Sequence, residues 1–197
     1  MKPYFLTHLI GFLYLFVLLS WYLIEFIQFL RQQEWRQAAT KVGPPSYWPA
    51  YWACVFAAVA VLSAAPHITP GAQIGHGAAA FATGMVILVA GIALRLWSFL
   101  VLGQYFTFTV KVSPDQPVVA TGPYRLLRHP SYAGGLLAII GVGVLNGNWA
   151  SLAALVLMFG SMVVWRIHTE ERALLTTLDG RYRAYAAHHK RLVPLVW

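Results

Sequence analysis

The residues able to do chemistry lie in two short segments of this 197-residue chain. The first is Gly122-Pro123-Tyr124-Arg125-Leu126-Leu127-Arg128-His129-Pro130-Ser131-Tyr132-Ala133-Gly134. Pro130 suits the first turn of a helix, where a missing N–H costs nothing. A helix is therefore predicted to start there with free backbone N–H groups, an end that favours anions such as a ligand carboxylate. Gly134 and Gly135, one turn on, let a ligand or a neighbouring helix approach the backbone closely. Interfacial anchoring of Arg and Tyr at a membrane boundary explains the same segment without a ligand. The second segment is Arg166-Ile167-His168-Thr169-Glu170-Glu171, followed by Leu174 and by Arg181-Tyr182-Arg183-Ala184-Tyr185. Arg166 and Glu170 are four apart and share one helix face. They form either a solvated ion pair, worth roughly a few tenths of a kcal/mol, or one pocket. In the pocket reading Arg166 grips a substrate anion bidentately and Glu170 accepts hydrogen bonds from ligand hydroxyls. Spacing permits both. No metal site is expected, because His129 has no second or third ligand at metal-binding spacing.

The elements that must position these residues are apolar. The chain is 59% hydrophobic and 10% charged, with a mean hydropathy of +0.62; a soluble domain carries about 25% charged residues. Five apolar runs are predicted as helices: Tyr4 to about Leu30, Trp48–Ala65 (ending at Pro66), about Ala78–Leu102, Tyr132–Leu145 and Ser151–Trp165. The first three suit a hydrocarbon core that needs roughly 20 helical residues. The last two are short, about 21 Å for fourteen residues, and Asn146-Gly147-Asn148 joins them as a tight helical hairpin. The expected fold is all-α and integral to the membrane, a single domain over 1–197. Its residues 1–102 form three spans, and 103–197 form the polar half with a C-terminal amphipathic helix.

Lys and Arg fall in alternate connections, which is how topology is written in multi-span chains. Arg31, Arg36 and Lys41 separate spans one and two; Lys111, Arg125 and Arg128 separate three and four; Arg172, Arg181, Arg183, Lys190 and Arg191 follow span five. Residues 66–77 and 146–149 have neither Lys nor Arg. Five crossings with the N-terminus outside put every basic segment in the cytoplasm except Lys2, and bring residues 103–131 and 166–197 to one face. The net charge of +8 is thus a topology signal, and no nucleic-acid partner is expected. Cys54 reads as a small buried hydrophobe. Arg95 either lines a cavity or snorkels to the interface, Glu25 reads as interfacial or paired with an Arg, and His67 and His76 read as loop residues on the opposite face.

The order Leu94-Arg95-Leu96-Trp97, Leu102-Gly103-Gln104-Tyr105-Phe106-Thr107, Gly122-Pro123-Tyr124, Arg128-His129-Pro130-Ser131-Tyr132, Gly134, Glu170-Glu171-x-x-Leu174, Tyr182-x-x-Tyr185 and Pro194 closely resembles the isoprenylcysteine carboxyl methyltransferase family. The resemblance covers roughly residues 90–197; related patterns occur in phospholipid N-methyltransferases and membrane sterol reductases. It implies an S-adenosylmethionine site built from helix ends, and the chain has no Gly-x-Gly-x-x-Gly segment after a strand. Carried over, the cofactor contacts fall on Gln116, Pro117, Val118, Val119, Tyr124, His129, Pro130, Ser131, Tyr132 and Glu170, with Glu171 as the alternative to Glu170. An upstream contact falls near Lys111. Arg166 becomes the catalytic, substrate-binding arginine, with Arg95 a second candidate for substrate binding.

The implied reaction is in-line attack of an acceptor carboxylate on the cofactor's methyl group. A carboxylate is a nucleophile at neutral pH, so positioning and desolvation suffice. The acceptor, an isoprenylcysteine-like or other lipophilic molecule, would arrive from the membrane lipid, and the cofactor from the cytoplasm. Methylation of a lipid amine would need a base, which His129, His168 or Glu171 can supply. A thiol acceptor, an NADPH-dependent sterol-type reductase and a non-enzymatic lipid-binding protein are the other readings. Oligomeric state is not legible.

Overall fold

The computed structural model describes residues 4–31, 40–41, 47–74, 78–106 and 110–193. Within hydrocarbon a backbone must satisfy its own polar groups, so apolar runs wind into helices. Among the described residues six α-helices are formed: α1 Tyr4–Arg31, α2 Tyr47–Ile68, α3 Ala78–Leu102, α4 Pro130–Leu145, α5 Trp149–Leu178 and α6 Gly180–His188. Two short strands, β1 Thr40–Lys41 and β2 Lys111–Val112, pair antiparallel. Segments in α1 (Gly11–Gln28), around α3 (Ala78–Tyr105) and in α5 (Trp149–Leu178) are long and apolar enough to cross a membrane. The apolar stretch Ala53–Ile68 of α2 and the whole of α4 are shorter. Large apolar side chains such as Phe12, Phe16, Leu19 and Leu157 face outward, as a lipid-facing surface requires; the protein is integral to the membrane.

Two expected boundaries are corrected. α2 does not stop at Pro66 but runs to Ile68 with Pro66 inside it. The proline removes one donor near the helix end, and Thr69 sustains the winding: its N–H and Oγ1 both donate to Ala65 O, at 2.8 and 2.7 Å. α5 does not end at Trp165. It continues to Leu178, 30 residues in all, because Arg166–Leu178 contains good helix formers and no Gly or Pro. Arg166, Glu170 and Glu171 therefore ride on the same rigid rod as the span. Pro130 does open α4, in the first turn. Arg36, His76, Thr107 and Pro194 lie outside the described residues, as do Lys2 and the side chain of Lys111.

α3 and α4 pack antiparallel at backbone contact. A Cβ on Gly91 would lie 2.3 Å from Ala138 N and 2.6 Å from Gly134 O; one on Gly141 would lie 2.4 Å from Leu88 N. Only glycine fits where membrane helices approach this closely. At the far end of the bundle, Asn148 caps α5 by accepting from Ser151 N at 3.0 Å and donates from Nδ2 to Thr69 O at 3.0 Å. Ile74 N bonds Gly147 O and Trp149 N bonds Ala72 O, so the α2–α3 and α4–α5 connections are sewn together there. The opposite end gathers residues 102–106 and 110–129 and the polar half of α5, with α6 behind them.

Replacing Gly91 or Gly141 with valine forces this contact apart. The expected result is a destabilisation of about 1–3 kcal/mol or more, read as a lower melting temperature in detergent. Gly160→Ala, which meets nothing within 4 Å, is expected to leave it unchanged.

Candidate active site

One cavity opens at the polar end, and four stretches of chain build it. The turn after α3 contributes Leu102, Tyr105 and Phe106; the loop before α4 contributes Val110, Val112, Gln116, Pro117, Val118, Val119 and Tyr124. The start of α4 adds Arg128, His129, Ser131 and Tyr132, and the last turns of α5 with α6 add Arg166, Glu170, Leu174, Leu178, Tyr182 and Tyr185. Ten of the residues singled out from the sequence thus face one space: Gln116, Pro117, Val118, Val119, Tyr124, His129, Ser131, Tyr132, Arg166 and Glu170. Pro130 is buried in the first turn of α4, between two lining residues. The loop is held by burial of Val110 and Val112 against Ala173, Leu178 and Tyr182, and by Arg181 of α6, whose guanidinium donates to the carbonyls of Pro114 and Gln116. Tyr185 Oη closes the other side by donating to Tyr124 O at 2.7 Å and Leu127 O at 3.2 Å.

Within the cavity the Tyr132 hydroxyl stands between the two halves of the α5 motif. It donates to Glu170 Oε2 at 2.7 Å and accepts from Arg166 Nε at 2.5 Å. Glu170 therefore points into the cavity, fixed by a neighbour from α4. Three lining residues end in a buried atom without a partner among the described residues: Gln116 Oε1, Arg128 Nε and Tyr182 Oη. A buried polar atom left unpaired costs about 1–3 kcal/mol, so these atoms call for a ligand bearing both a donor and an acceptor. Burial, with the carboxylates of Glu171 and Glu170 nearby, pushes the Tyr182 phenol well above its ordinary value. Burial and Glu170 do the same for Tyr124. Both stay protonated, and Tyr182 can donate.

Glu171 does not line the cavity. Its carboxylate, 4% exposed, takes Arg128 Nη1 at 2.7 Å and Arg191 Nε at 2.9 Å, with His129 Nε2 at 3.3 Å. The backbone follows the same path: Arg128 N donates to Lys190 O and His129 N to Arg191 O. Glu171 thereby ties the approach to α4, the shaft of α5 and the segment after α6 into one joint. Adjacent helix residues point about 100° apart, and here one turns to the cavity and the other to the joint. No group of three or more His, Cys, Asp or Glu able to hold a metal occurs among the described residues.

A second cavity, of about 230 Å³, lies deeper between α1, α2, α4 and α5. Its walls are mainly apolar: Leu18, Val55, Ala58, Leu62, Leu136, Ile139, Leu155 and Phe159 are among them. Arg95 lines this cavity and not the first. It is bonded to Glu25 through Nε and through Nη2 (3.0 Å to Oε2). Its Nη1 donates to Ser131 O at 3.1 Å and to Ser131 Oγ at 3.0 Å. Phe106, Tyr132 and Arg166 line both cavities and form the wall between them. Phe106 and Glu25 were not foreseen as members of the site. A lone carboxylate in one apolar run and a lone Arg in another were the available signal for the Glu25–Arg95 pair.

Residues 83–176 match the family model of the isoprenylcysteine carboxyl methyltransferase (ICMT) family. Protein-S-isoprenylcysteine O-methyltransferase A of Arabidopsis thaliana is 30% identical over 115 residues, covering 57% of this chain and 58% of that protein. The cobalt-zinc-cadmium resistance protein CzcN of Cupriavidus metallidurans is 44% identical over 80 residues, 41% of this chain and 37% of that protein. The chain thus spans somewhat over half the length of the plant relative. Among solved structures, the eukaryotic intramembrane Ras methyltransferase ICMT superposes with a TM-score of 0.60 at 24% identity, over 77% of this chain and 54% of that chain; that likeness concerns the fold. The matched stretch contains Arg95, the loop before α4, Tyr132, Arg166, Glu170 and Glu171. α1 and α6 lie outside it.

Glu171→Ala strands two arginines in a buried joint, and removing one partner of such a cluster costs about 3–5 kcal/mol. A clear fall in melting temperature is expected. Glu170→Gln, which keeps the shape of a cavity-lining side chain, is expected to leave stability near wild type while weakening ligand binding. Burial lifts the Tyr185 phenol from an ordinary 10.0 to about 12. Its contribution to stability is therefore full below pH 10 and lost as the pH rises towards about 12. Thermal melts across that window are expected to be less pH-dependent in Tyr185→Phe.

Proposed function

We propose that this chain transfers a methyl group from S-adenosylmethionine to the carboxylate of a lipophilic, isoprenylcysteine-like acceptor. The observation that carries the reading is the wall of Phe106, Tyr132 and Arg166, where a polar cavity meets an apolar one. A water-soluble donor and a bilayer-borne acceptor require such a junction. Family likeness over residues 83–176 supports the same chemistry.

S-adenosylmethionine fits the polar cavity by its donor and acceptor groups. Glu170 would accept from ribose hydroxyls, Tyr182 Oη and Gln116 Oε1 would gain the partners they lack, and Val118, Val119 and Tyr124 would flank the base. His129, Pro130, Ser131 and Tyr132 would bound the amino-acid end at the first turn of α4. When bound, this cofactor supplies an electrophilic methyl group. The chain's own residues do the rest. Arg166 orients the acceptor carboxylate, Tyr132 fixes the Arg166 guanidinium, and the apolar walls exclude water from the reacting oxygen. Glu171, engaged with Arg128, Arg191 and His129, serves the site by holding it together.

A carboxylate acceptor is favoured over an amine by the deep cavity itself. Glu25 is the only carboxylate among its described lining residues, and Arg95 holds it. An amine acceptor there would meet the Arg166 guanidinium, which repels a cation and attracts a carboxylate. In this reading the chain is one domain of five crossings with its N-terminus outside and the reaction site in the cytoplasm. α4 and α2 complete the crossings begun by the three longer helices.

The test uses detergent-purified protein with methyl-labelled S-adenosylmethionine and, in turn, a prenylcysteine, phosphatidylethanolamine and a small thiol. Label transferred to the prenylcysteine and released by mild base, as an ester is, is expected. Stable label on the amine lipid or the thiol would defeat the reading. Arg166→Ala is expected to reduce turnover by about 2–5 kcal/mol of transition-state stabilisation while saturable cofactor binding persists. Near-normal activity would remove Arg166 from its role.

A further inference from the structure

Two cations line the deep cavity, and only one stands where the reaction would occur. Arg166 belongs to the wall shared with the polar cavity; Arg95 lines the apolar side alone. In surroundings of low dielectric either guanidinium attracts a carboxylate strongly. An acceptor caught by Arg95 would be bound with its oxygen away from the methyl donor.

We propose that Glu25 is a selectivity residue: by occupying Arg95 it keeps an anionic acceptor head out of that position and leaves Arg166 as its docking point. The inference rests on the reading of the deep cavity as the acceptor site. Its geometry is explicit. Both Glu25 oxygens bond the Arg95 guanidinium, Trp21 Nε1 donates to Glu25 Oε1 at 3.0 Å, and the paired side chains are 12% and 16% exposed. Ser131 takes the remaining Nη1 donor. Stability is a poor reason for such a pair, since desolvating two charges offsets most of their attraction. Ionisable groups within membrane segments are instead functional by default. The pair also crosses a boundary in the chain. Arg95 lies inside the stretch shared with the isoprenylcysteine carboxyl methyltransferase family, whereas Glu25 belongs to α1, outside it. Specificity achieved by closing a wrong docking point is as effective as improving the right one.

The experiment measures inhibition by hexadecylsulfonate, a single-chain anion, in nanodisc-reconstituted full chain, with binding of S-adenosylmethionine as the check on folding. Wild type is expected to be inhibited competitively with the acceptor. Glu25→Gln is expected to bind the sulfonate about tenfold more tightly and to lose kcat and acceptor KM together, as non-productive binding dictates. Glu25→Asp, which keeps the charge, is expected to resemble wild type. The double variant E25Q/R95Q is expected to lose the gain. Unchanged inhibition in a Glu25→Gln protein that binds S-adenosylmethionine overturns the proposal, as does a gain that survives in the double variant. Should Glu25→Gln fail to fold, the double variant still decides. Inhibition within about twofold of wild type supports a masked Arg95, and inhibition about tenfold weaker shows that Arg95 was an open anion site. Absence of competitive inhibition in wild type overturns the acceptor reading itself, and this inference with it.

Discussion

The backbones of α3 and α4 touch, and the polar end of the molecule depends on that contact. With glycine at positions 91, 134 and 141 the two helices lie closer than side chains would allow. Arg95 is thereby carried alongside Ser131, in the first turn of α4, and can bond its carbonyl and hydroxyl. The same closeness sets where α4 begins relative to the end of α3, and hence the gap that residues 103–129 must bridge. Lipid gives no hydrophobic reason for helices to associate, so close packing and polar bonds must supply one. Here the packing is between backbones, and the polar bonds are the ones that line the cavities.

A second constraint acts on the other side of α4. Glu171 fixes the approach to that helix against α5, and Tyr132 from the first turn reaches Arg166 and Glu170, about one turn apart on the shaft. Neighbouring glutamates on one helix thereby divide the labour. One is spent on structure and the other faces the space where we propose the donor is held. The wall between the two cavities then follows from α4 and α5 together with Phe106.

Much of this was legible in the chain, for reasons that can be named. Pro130 announces a first turn, and α3 begins and ends where its apolar run does. Among the described residues, the connections after α1 and after α3 meet through the β1–β2 pair, as alternation of the basic connections implies. Other features were hidden. The run of apolar residues in α5 ends at Trp165, yet helix propensity carries the backbone on for thirteen residues through polar sequence. Pro66 looks like a terminator, but a proline near a helix end removes little. Glu170 and Glu171 cannot be separated by spacing, because only packing decides which way a helix face turns. The Glu25–Arg95 pair spans seventy positions, beyond the reach of any local pattern; two solitary charges in apolar runs were its only trace.

The joint at Glu171 also has a bearing on biogenesis. Spans enter a membrane one after another as they are made, and α3 can meet α4 as soon as both are inserted. The approach to α4, however, is completed by backbone bonds to Lys190 and Arg191 and by the Arg191 guanidinium. Lys190 and Arg191 are synthesised some sixty positions after Arg128 and His129, whose backbone they hold, and Arg191 is made 20 positions after Glu171. The polar cavity therefore stays unfinished until Lys190 and Arg191 have been made, after the α3, α4 and α5 helices that frame it.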